Sequence, residues 1–181
     1  ILKETKTTSA DTRLYTRLVP NLKMKIFPTK EISFRLLDSQ DETLDRLKRR
    51  TEHSENLTSQ YTDKSFRGKI NGTGFKIISS AIGRGAFCVL TGEIASDQGN
   101  VRVEIHKVFK VLLSIILLFP VIGIIIALIN GTEDFSPIFI VVVILQVLFI
   151  RLVFIGLAFR FLSKSSLNRF RDVLDIEWKK N

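Results

Sequence analysis

Two long, predominantly apolar runs, residues 108–129 and 138–159, constrain this chain more than any other feature. Each is roughly twenty residues, which at ~1.5 Å per helical residue matches a bilayer hydrocarbon core of ~30 Å. A helix packed in a soluble core keeps a polar face over such a length, and neither run has one. The expectation is a transmembrane helical hairpin over 108–160. Pro137 suits the start of the second helix, where a missing N–H costs nothing.

The flanks predict the orientation. Arg102 and Lys107 precede the first run, with Lys110 just inside it, and Arg160, Lys164, Arg169 and Arg171 follow the second. The connecting segment, residues 130–136, has no Lys or Arg. The positive-inside rule then puts both termini in the cytoplasm and the loop outside. Lys107, Lys110, Arg160, Lys164 and Trp178 are assigned as membrane-surface contacts.

Three polar residues inside the spans form a candidate intramembrane site: Arg151, Gln146 and Ser114. A charge at depth costs at least ~2.5 kcal/mol unless it snorkels or finds a partner. Pro120 cannot donate to the Ile116 carbonyl, and Ile116 and Ser114 stand at nearly the depth of Arg151. Arg151 therefore either bonds that carbonyl or snorkels to the cytoplasmic headgroups. Gln146 is of the type that joins helices within or between protomers.

The net charge of +9 fits such a topology or an anionic membrane surface. Nucleic acid is a poorer match. The adjacent Lys48, Arg49 and Arg50 point in different directions on a helix, and the aromatic residues of the polar part are spaced as core rather than as a stacking platform. A single cysteine and two histidines exclude an internal disulfide and a typical zinc site. Cys88 reads as a packed strand residue. His53 and His106 have no evident carboxylate or metal partner, and Gly83-Arg-Gly85 lacks the GK[ST] of a phosphate loop. No catalytic, cofactor-binding or metal-binding residues are assigned.

Residues 1–23 are polar and lack the apolar core of a signal peptide. They are either a disordered leader or upstream of a translation start at Met24. Residues 24–107 read as a cytoplasmic α+β domain. A strand over 31–37 is followed by Ser39 and Glu42, spaced as a capping box. A helix then runs to about Thr51, with Leu44 and Leu47 inward and Arg46, Lys48, Arg49 and Arg50 largely solvated, and 52–63 is a polar loop. Period-two alternation over 66–70, 74–78, 86–94 and 101–106, with Asn71-Gly72 as a tight turn, predicts an antiparallel meander feeding directly into the first span. Residues 161–181 contain an amphipathic helix with Leu167, Phe170, Leu174 and Trp178 on one stripe. It either lies in the headgroup layer or folds back over the sheet, which otherwise has apolar surface to cover.

The pattern Phe66-Arg-Gly-Lys-Ile70 followed by Gly74-Phe-Lys-Ile77, the later Gly92-Glu-Ile94, and a strand running into a helical hairpin together resemble a group of small bacterial membrane proteins of uncharacterised function. The group often has an Asn-Ser-Phe-x-Pro-like segment where this chain has Gly85-Ala-Phe-Cys-Val-Leu90. The element order also looks like a shortened helix-grip or pleckstrin-like domain interrupted by a membrane hairpin. Neither resemblance implies catalytic residues.

The expected function is a non-enzymatic, membrane-anchored binding module. Its partners would be the lipid bilayer, an unknown protein or lipid ligand, and a second copy meeting through Gln146, Gly123 and Gly156. The alternatives are an oligomeric channel or transporter accessory subunit using Arg151, and a membrane-bound enzyme.

Overall fold

The computed structural model describes residues 27–58, 60–81, 85–129, 131, 136 and 138–179. The leader, Met24, Gly83, Pro137 and most of the interhelical loop lie outside the described residues. The chain has α+β architecture: a mixed sheet on a helical layer, with two long apolar helices inserted.

Strand β1 (Thr29–Leu36) leads into helix α1 (Gln40–Arg50) and then β2 (Thr51–His53). The meander follows: β3 (Phe66–Asn71), β4 (Gly74–Ser79), a 3-10 turn (Gly85–Phe87), β5 (Cys88–Ile94) and β6 (Gln98–Ile105). The apolar helices are α2 (Lys107–Ile129) and α3 (Ile138–Phe149). A π-helical stretch (Ile150–Ile155) joins α3 to α4 (Gly156–Leu174), and β7 (Ile176–Trp178) closes the described chain. The sheet order is β2-β3-β4-β5-β6-β1-β7. All neighbours are antiparallel except β2 and β3.

Local chemistry explains the elements. Ser39 caps α1, its Oγ accepting from the Glu42 N–H at 3.3 Å. The Glu42 carboxylate turns to Arg46 at 3.5 Å. Gly72 sits in the turn between β3 and β4 at φ 57°, where a side chain would be strained. Along β6 the alternation holds: Val101, Val103 and Ile105 are buried, whereas Arg102 is exposed.

One face of the sheet carries the core. Leu44 and Leu47 of α1 join Leu167, Phe170 and Leu174 of α4 against Phe34, Phe66, Phe75, Ile77 and Leu90. Phe170 is central, with its ring 5.7 Å from Phe34, 6.2 Å from Phe66 and 5.2 Å from Phe75. Each large apolar side chain that leaves water here contributes about 1.5–3 kcal/mol. Phe34 lies opposite Gly99 on β6, and a Cβ on that glycine would come within 2.3 Å of the Phe34 ring.

Four expectations need correction. The amphipathic C-terminal segment is not a separate helix, because helix runs continuously from Ile138 to Leu174. Trp178 is not on its stripe: Asp175, at φ 53°, ends the helix and turns the chain into β7, so Trp178 pairs with Phe34. Arg46 is not solvated, since it bonds the Leu174 carbonyl at 3.1 Å and Asp38 at 2.7 Å. The first residues of the polar loop are a strand, β2, which pairs with β3 through Glu52↔Arg67 and His53↔Gly68.

Candidate membrane-interface site

The two apolar helices have almost no protein around them. No residue of α2 or α3 is buried, and Val111, Ile115, Phe119, Ile122, Leu145 and Phe149 are among the large apolar side chains exposed along them. Both helices are long and apolar enough to cross a membrane. At 23 residues α2 is about 34 Å long. The second helix, 37 residues, is about 55 Å long and overshoots a ~30 Å hydrocarbon core. Its excess length is what packs on the sheet. From Ile155 onward a buried stripe runs through Phe159, Ser163, Leu167, Phe170 and Leu174.

The root of the hairpin is tied to the sheet from both sides. His106 donates its backbone N–H to the Phe87 carbonyl at 2.9 Å, and its Nδ1 accepts from the Val108 N–H at 3.3 Å, capping α2. Burial and the nearby Lys76 and Lys107 charges hold this imidazole below its ordinary pKa, which keeps Nδ1 an acceptor. Lys110 pairs with Glu104 of β6 at 3.0 Å, and Phe87 packs on Phe109 at 5.2 Å between ring centroids. Partly buried Phe109, Leu113 and Leu117 continue the domain core up α2.

On the other side of the hairpin, a cleft of about 580 Å³ opens between the start of β1 and the second helix. Lys30, Arg151 and Arg160 bring three cations to it, and Leu152, Leu157 and Phe159 give it an apolar wall. Arg151 lies in the π-helical stretch, where the Gly156 N–H reaches back to its carbonyl. Such π turns inside α-helices are frequent at functional sites.

The predicted polar residues separate accordingly. Ser114 donates to the Lys110 carbonyl within its own helix at 2.8 Å. Gln146 is exposed on the outer surface of α3. Only Arg151 of the three lines the cleft. Among the surface residues, Lys107 and Lys164 are exposed, Arg160 lines the cleft, and Lys110 is committed to Glu104. Trp178 lies against Phe34, about 17 Å along β1 from Thr29, on the part of the strand remote from the hairpin. Lys30 was missed in the sequence, where a lone lysine before a strand carries no signal that it will meet two arginines more than a hundred residues away.

Cys88 is buried, and desolvation pushes its thiol up to about 12. Such a thiol is inert as a nucleophile near neutral pH. Among the described residues no group of His, Cys, Asp and Glu could hold a metal ion. No family model, curated protein or solved structure matches the chain.

Proposed function

We propose that this protein is a membrane-anchored, non-enzymatic binding module whose α+β domain is held against the cytoplasmic face of a bacterial inner membrane, with both termini cytoplasmic. The observation that carries the reading is where the hairpin sits in the fold. It is inserted between β6 and α4, so both of its ends are rooted in one hydrophobic core. A flexible tether would let the domain wander, whereas this insertion fixes its distance and tilt relative to the bilayer. The module would present its exposed sheet edge and the cleft beside Arg151 to a lipid or protein ligand at the membrane surface.

Membrane fractionation tests the reading. The full chain should stay in the pellet after alkaline carbonate washing, as spanning helices do. Release into the supernatant would contradict it. An accessory role in conduction draws only on Arg151, and the position of that residue at a cleft beside β1 favours the binding reading.

A further inference from the structure

We infer that the cleft between β1 and the second helix is a binding site for the phosphate headgroup of an anionic phospholipid. The inference rests on the membrane reading above and names the ligand of that surface.

Charge is the first argument. Lys30, Arg151 and Arg160 line the cleft, and among the described residues no carboxylate does. The nearest acidic neighbour in sequence, Glu31, points to the other side of the strand and pairs with Arg102 at 2.7 Å. Arginine forks match phosphate oxygens in a bidentate way, and a lysine adds a point charge.

Position is the second argument. Arg160 and Lys107 stand at about the same height, each counted from the loop end of its helix, so Arg160 marks the level of the polar boundary. Arg151 lies about 13 Å further along the helix axis toward the loop. The cleft therefore runs from the headgroup level into the apolar zone, as a phospholipid does. Leu152 and Leu157 are exposed along it and suit an acyl chain.

The test uses the full chain in vesicles of equal parts phosphatidylglycerol and phosphatidylcholine. Native mass spectrometry after release in mild detergent reads which lipid stays bound. The wild type should retain the anionic lipid at least about tenfold over the zwitterionic one. Removing one cation with Lys30→Gln, Arg151→Gln or Arg160→Gln should cut that preference about fivefold, the equivalent of ~1 kcal/mol per basic residue at a membrane surface. Arg151→Lys should recover part of it. A triple variant of Lys48, Arg49 and Arg50 to Gln, with more charge removed but far from the cleft, should keep the full preference. Continued burial of the Cys88 thiol verifies that each variant is folded.

No preference in the wild type, or an equal loss in the α1 triple variant, would overturn the site. Displacement of the lipid by added inorganic phosphate would reassign it to a free anion and overturn the lipid assignment. Flotation separates the two levels of the account. A wild-type chain that floats with vesicles but shows no lipid preference refutes the cleft alone, whereas one that does not float refutes the membrane reading and the cleft with it.

Discussion

The Phe170 ring lies 5.2 Å from the Phe75 ring, so a side chain that follows the second apolar run fills the centre of a sheet whose meander precedes the first. The domain is therefore discontinuous in sequence, and the apolar hairpin is an insertion in it.

Phe170→Ala should remove the keystone of this arrangement. Phe170 is fully buried and touches Phe34, Phe66 and Phe75. Truncating such a side chain costs about 3–5 kcal/mol. Denaturant unfolding of the purified full chain should show a loss of that size, and a change below about 1 kcal/mol would mean that α4 is not integral to the core.

Residues 27–106 alone should not fold. They retain the sheet face but lose Leu167, Phe170 and Leu174, which cover it. Expressed by themselves, they should expose apolar surface and aggregate. The same segment joined through a short polar linker to residues 160–179 should give dispersed amide resonances. A well-folded 27–106 fragment would contradict the interdigitated core.

Arg46→Met should weaken the junction of the two sheet-covering helices. The guanidinium bonds the last carbonyl of α4 at 3.1 Å and Asp38 at 2.7 Å, and its side chain is 25% exposed. Charge-assisted bonds at a helix C-terminus are worth about 1.5 kcal/mol or more. Thermal unfolding should shift downward by the equivalent amount, and Arg46→Lys should recover only part, because a lysine cannot reproduce the fork.

His106 should make the hairpin root sensitive to acid. Its folded pKa is lowered by burial first and by Lys76 and Lys107 after that. A base with a lowered folded pKa contributes stability that is complete above its unfolded value of about 6.5 and is lost as pH falls through that value toward the folded one. Protonation also removes the acceptor that holds the Val108 N–H. The wild type should lose more stability between about pH 7.5 and pH 5 than His106→Asn, because Asn caps a helix without titrating. Equal losses would show that His106 is not responsible.

The readable and the hidden parts of this fold divide along physical lines. The two long apolar helices were legible because their hydrophobicity is sustained over some twenty residues with few polar breaks. The meander was legible because buried Val101, Val103 and Ile105 alternate with polar residues, and Ser39 announced its helix. The continuity of α3 through α4 was hidden, because the polar Arg160, Ser163, Lys164 and Ser165 look like an end to the span while remaining compatible with helix. The place of Trp178 was hidden because helical periodicity carries past Asp175, and only the left-handed backbone there breaks it. β2 is three residues long, too short for a period to show, and it is defined by its partner β3. The cleft was half legible: Arg151 and Arg160 stand out, but their meeting with Lys30 depends on tertiary packing.

Cysteine accessibility in intact cells tests the central claim most directly. Cys88 is buried, so the native background should be silent to a membrane-impermeant maleimide. Single cysteines would replace Thr132 in the loop, Tyr61 (85% exposed) in the polar domain and Asp172, exposed on α4. Labelling of Thr132→Cys alone in intact cells, with all three labelled after permeabilisation, is the predicted result. Labelling of Tyr61→Cys or Asp172→Cys in intact cells would contradict a cytoplasmic domain rooted to a membrane hairpin.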